Sequence, residues 1–169
     1  MKRIALLMSC VLICFHGLSD NKKQNDTVVY LKEYKVVNKN IYNLLDTAIN
    51  HELSFFRRNC TYDINLYKEH GHLKLSIGVL DEELLKYYNA RLSGYIKYKG
   101  SLFFISSYPD TKVKLKKFYR AQKNRTQFTF QYYSGEMGPI VDETGWFYFY
   151  KNGKFVLDYL FDIRIPGKP

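Results

Sequence analysis

At 169 residues the chain has the length of one ordinary domain. Its 46% apolar and 25% charged residues exclude a disordered, collagen-like or low-complexity polymer, and the 17% aromatic content, rich in tyrosine, leans toward sheet. The 26 Lys and Arg outnumber the 16 Asp and Glu, so the net charge is +10 and the chain attracts polyanions.

Met1-Lys2-Arg3 is a short basic start, followed by an apolar run from Ile4 to Phe15 and then small residues at Gly17 and Ser19. These are the three parts of a secretory signal, so residues 1–19 are expected to be a signal peptide cleaved near Ser19, which makes the protein secreted or periplasmic. The run is too short to span a bilayer, which takes about 20 apolar residues. Leu7-Met8-Ser9-Cys10 has the form of a lipobox, and a lipoprotein anchored through Cys10 is the alternative. Against it, the apolar stretch begins only at Ile4 and continues past Cys10, where a lipoprotein turns polar. Cleavage leaves Cys60 as the one cysteine, so no intramolecular disulfide supports the fold. Cys60 itself reads as a small core residue, an intermolecular link or a nucleophile.

Residues 20–26 are polar and read as a flexible lead-in to a single domain over 27–165, with a tail at 166–169. Thr27 to Val37 is β-branched and aromatic and predicts a strand. Asn38 and Asn40 are candidate N-caps for an amphipathic helix over about 40–57, whose apolar stripe is Ile41, Leu44, Leu45, Ala48, Ile49, Leu53 and Phe56. Beyond Cys60 the apolar period falls to two. Tyr62–Leu66 and Leu73–Val79 predict a hairpin turning at Gly71; a short helix is expected from Asp81. A second hairpin joins Leu92–Tyr98 to Ser101–Ser107 through Lys99-Gly100, and Lys112–Tyr119 with Thr126–Tyr133 look like a third pair. The last is Trp146–Tyr150 with Phe155–Ile163 around Asn152-Gly153, the strongest short hairpin signal. The fold class expected is α+β: one long amphipathic helix packed on a curved antiparallel sheet of about six or seven strands. That element order has a cystatin-like or NTF2-like shape by analogy alone, since no family motif accompanies it.

No catalytic set emerges. His51-Glu52 opens like a zinc-protease helix, but Phe55 stands where the second histidine is required. His70 and His72 share one side of an extended segment and form an incomplete metal pair; with His51 they would be the acid–base groups of a small, nuclease-like secreted hydrolase. Gly-x-Ser-x-Gly, Cys-x-x-Cys and phosphate-binding glycine loops are absent from the sequence. No cofactor is implied. Asn25, Asn59 and Asn124 head three glycosylation sequons.

The anomaly is basic. Lys112, Lys114, Lys116, Lys117, Arg120, Lys123 and Arg125 follow one another with no acid between, and Tyr95, Lys97 and Tyr98 add a second basic–aromatic patch. Cations attract polyanions over long range and tyrosines stack on rings, although lysines also protect sheet edges from pairing. The function expected is therefore an exported binding protein of the cell envelope or extracellular space. Its ligand would be an anionic glycan, a lipid surface or an envelope protein ahead of nucleic acid, with a structural or assembly subunit as a further alternative.

Overall fold

Runs of β-branched and aromatic residues make strands of most of the described chain, which in the computed structural model comprises residues 26–80, 92–106, 117–131 and 144–164. The elements are β1 (Asp26–Val36), α1 (Lys39–Ser54), β2 (Thr61–Glu69), β3 (His72–Leu80), β4 (Leu92–Tyr98), β5 (Ser101–Ser106), β6 (Tyr119–Gln131), β7 (Thr144–Lys151) and β8 (Lys154–Asp162). The eight strands form one mixed sheet in the order β6-β1-β4-β5-β2-β3-β7-β8.

Three predicted hairpins form as their turns dictate. His70-Gly71, Lys99-Gly100 and Asn152-Gly153 all have positive φ at both central positions, the requirement of the two-residue turn that matches strand twist. Their assembly overturns the predicted sheet. Hairpins β2–β3 and β4–β5 lie side by side, so β5 pairs with β2 in parallel over Thr61–Asn65 and Leu102–Ser106. β1 meets β4 in parallel as well. The sheet is thus mixed and eight-stranded, not antiparallel with six or seven strands, and the cystatin-like analogy falls with it. Of the third predicted pair, residues 112–116 lie outside the described residues, and the described part of Thr126–Tyr133 belongs to a longer strand, β6, which runs antiparallel to β1 from Asp26↔Gln131 to Val36↔Tyr119. Its middle, residues 120–125, lies at the sheet edge with every residue exposed, so no apolar alternation marks it as strand. The helix expected at Asp81 lies outside the described residues.

The α1 helix is 16 residues, shorter than its periodicity suggested. The Asn38 side chain accepts from the Asn40 N–H at 2.9 Å and starts it; Phe55 caps it, and Phe56 (φ 61°) and Asn59 (φ 54°) turn left-handed and stop it. Leu53 and Phe56, placed on the apolar stripe by spacing, are exposed. The remaining stripe packs on one face of the sheet with Ile64, Leu66, Leu75, Ile77, Phe103, Ile105 and Trp146. Each such side chain contributes about 1.5–3 kcal/mol on burial. Strand alternation sends Leu31, Tyr95, Phe104 and Phe130 to the opposite face, where they form a second, smaller core.

Both ends of α1 are fastened to β8. The Phe155 N–H donates to Asn40 Oδ1 at 2.6 Å. At the other end Glu52, fully buried, receives Arg164 on both oxygens at 3.0 and 2.7 Å. Arg164 also donates to both oxygens of Asp162 and to Thr144 Oγ1, and its guanidinium lies 4.1 Å over the Phe55 ring.

Candidate functional site

β1 and β4 are in register at one pair, Glu33↔Tyr95. Beyond it β1 follows β6, with Lys35 opposite Arg120, while β4 follows β5, with Lys97 opposite Leu102. The sheet therefore opens into a slot of about 250 Å³ between residues 33–36 and 96–98, lined also by Tyr42 of α1 and Gln122 of β6. Two irregularities flank the opening: β6 bulges between the partners of Lys32 and Tyr34, and β4 shifts register between Leu92 and Gly94. Gly94 is required there, because a Cβ would stand 2.4 Å from Tyr34 Cε2 and 2.5 Å from the Lys32 carbonyl oxygen.

Alternation gives the slot two chemically distinct sides. Tyr34, Tyr42 and Tyr98 belong to the helix side, packed against the main core. The Tyr42 and Tyr98 rings lie 5.2 Å apart at 49°, and the Tyr42 hydroxyl donates to the Val36 carbonyl at 3.2 Å, which holds the ring in place. Lys99 reaches back to Asp46 at 2.6 Å and sits 5.4 Å over Tyr98. Burial, with Asp46 adding, pushes the Tyr98 hydroxyl above its usual range, so it stays a hydrogen-bond donor. On the other side Lys35 and Lys97 are exposed and make no ion pair among the described residues; Arg120 stands opposite Lys35 on the same face. Glu33 is the one acid of the lining, and it accepts from the Tyr95 hydroxyl at 3.4 Å.

Of the residues singled out by sequence, Lys97 and Tyr98 line the slot and Arg120 borders it. Lys117 is exposed at the approach to β6. Tyr95 is not a surface residue: it is fully buried in the second core, its hydroxyl bonded to Thr126 at 2.6 Å. Lys112, Lys114 and Lys116 lie outside the described residues. Tyr34, Lys35, Tyr42 and Gln122 were missed, although Tyr34-Lys35 repeats the basic–aromatic dipeptide seen at Tyr98-Lys99.

The histidines do not converge. His70 and His72 are exposed at the β2–β3 turn, where the left-handed His70 breaks the extended geometry that would align them. His51 packs edge-on to Trp146 at 5.3 Å, and Trp146 pairs with Ile77, which lies on β3 about 17 Å from His72 at ~3.4 Å per residue. His51 Nε2 is instead bonded to Asp162 at 2.7 Å. Burial would raise the Asp162 carboxyl, but hydrogen bonds from Arg164 and His51 outweigh it and bring it down to about 2. This cluster spends its polar groups on one another and acts as a fastening. Among the described residues no three potential ligands gather for a metal ion. Cys60 packs against the main core, and burial, with Glu52 adding, raises its thiol, the opposite of an activated nucleophile. Asn59 and Asn124 are exposed, and Asn25 lies outside the described residues.

Set against family models, curated proteins and solved structures, the chain matches none.

Proposed function

We propose that this is an exported binding protein of the cell envelope or extracellular space whose β1–β4 slot holds a ligand carrying both a ring and an anion, an acidic sugar being the simplest such class. The observation that supports this is the slot itself, which sets three tyrosines on one side against two exposed lysines on the other. Tyrosine faces take the apolar face of a sugar ring, while lysine ammonium groups take a carboxylate or sulfate. The volume of about 250 Å³ falls just below the about 300–1,000 Å³ of drug-sized sites, so it suits one ring. The basic N-terminal signal pattern supports export. The dispersal of His51, His70 and His72 weighs against the hydrolase alternative.

Titration of the protein with galacturonate and with galactose, followed by NMR across a salt series, tests the reading. The uronate is expected to bind at least tenfold more tightly, to weaken with salt, and to lose that advantage in Lys97→Glu; Tyr98→Ala should weaken both sugars. Equal binding of the two sugars, or an unaltered Lys97→Glu variant, overturns it. Export is checked separately by the mass of the protein recovered outside the cytoplasm, which should begin near Asp20.

A further inference from the structure

The slot opens onto a track. On β1 the residues facing the helix side alternate as Val28, Tyr30, Lys32 and Tyr34, and α1 covers only the far end of that row. Val28 is 48% exposed and Tyr30 62%. On the adjacent β6, Gln127 stands opposite Tyr30 and Arg125 opposite Lys32. The Tyr30 hydroxyl donates to Gln127 Oε1 at 3.2 Å, which steadies an otherwise bare ring. Lys32 and Arg125 form a directly opposed pair of like charges, and neither has an ion pair among the described residues. Such pairs destabilise a sheet. Lys35 and Arg120 repeat the arrangement beside the slot.

We infer that the ligand is a linear acidic polysaccharide, which seats one sugar in the slot and runs along the helix side of β1 and β6 over Tyr34, the Lys32–Arg125 pair and Tyr30. This rests on the slot reading and extends it from a sugar to a polymer. Tyr30 and Tyr34 are four residues apart, about 13 Å along the strand, with the two cations between them. Ring platform, paired charge, ring platform is the complement of a chain whose successive rings carry anions. It suits a single-stranded nucleic acid less well, because neighbouring bases need platforms at closer intervals. An anionic chain would also neutralise the opposed cations, which gives their cost in the free protein a purpose.

Oligogalacturonates of one, three, six and twelve residues, titrated against the protein, provide the test. Affinity is expected to rise from monomer to hexamer by tenfold or more, beyond the statistical factor of the repeat number, with a steeper salt dependence. Lys32→Ser/Arg125→Ser should abolish that gain, leave monomer affinity within about twofold and raise the unfolding temperature of the free protein. Length-independent affinity, or a double variant that keeps the gain, overturns the polymer track; unchanged monomer binding in that case leaves the slot reading standing. Failure of every oligomer, monomer included, overturns both. Tighter binding of a twelve-residue oligothymidylate than of the dodecasaccharide overturns the polysaccharide in favour of nucleic acid.

Discussion

Arg164→Met tests the fastening of α1 to β8. The variant keeps an apolar stem over Phe55 but leaves the Glu52 carboxylate, whose side chain is 1% exposed, without its main partner. Removing one member of a buried ion pair costs about 3–5 kcal/mol. Arg57 Nη1, 3.6 Å from Glu52 and itself partly exposed, returns about 1 kcal/mol at most. The net loss should be about 2–4 kcal/mol, a large part of the 5–15 kcal/mol typical of a domain. With a urea dependence of about 2 kcal/mol per M, the unfolding midpoint falls by roughly 1–2 M. Glu52→Gln combined with Arg164→Met should then lose less than the sum of the single changes, by about 1.5 kcal/mol or more. Urea unfolding followed by tryptophan fluorescence reads this directly, because Trp146 packs against His51 at the same place. A midpoint shift under about 0.3 M with additive single effects would refute the idea that a buried, coupled pair holds the helix.

Three further outcomes follow from the same geometry. Asp162 sits at about 2 against an ordinary 3.8, so its contribution is present above pH 4 and lost as pH falls from about 4 to 2; at ~1.4 kcal/mol per unit this is about 2 kcal/mol, and acid titration of Asp162→Asn should lack that slope. Gly94→Ala drives a methyl into Tyr34 and the Lys32 carbonyl, so β1 must shift; a loss of about 1–3 kcal/mol by thermal unfolding and weakened uronate binding are expected together. Tyr148→Phe removes a buried hydroxyl with no hydrogen-bond partner among the described residues, and stability should rise by about 1 kcal/mol; a comparable fall would show that the hydroxyl is satisfied.

What the sequence discloses depends on whether pairing is local. The hairpins were legible because Gly71, Gly100 and Asn152-Gly153 meet a backbone demand inside two residues, and the α1 stripe was legible because one face is buried at helical spacing. β6 was legible only from Thr126 onward, because the exposed run from Arg120 to Arg125 buries neither face and resembles a loop. The parallel joins of β1 to β4 and β2 to β5 were invisible for a different reason: they unite strands with no turn between them, so no local residue marks the pairing. The slot inherits that opacity. Lys97 and Tyr98 stood out as a basic–aromatic patch, but Tyr34, Lys35 and Tyr42 reach them only through topology, and Tyr95 was misplaced because single-residue alternation on β4 put it in the second core.

The fastening of α1 also bears on how the chain acquires its shape. Asn40 meets Phe155, and Glu52 meets Arg164, across 115 and 112 positions of sequence; Tyr30 meets Gln127 across 97. Contacts so distant close large loops before they are rewarded, which slows folding and makes it cooperative. β1 has its long partner only when β6 arrives, so the wall that carries Tyr34 and Lys35 is completed late and with the whole sheet. The slot is therefore a property of the finished protein and of no fragment. A ligand that occupies it binds the folded state alone, and its occupancy will register as a higher unfolding temperature of the entire molecule.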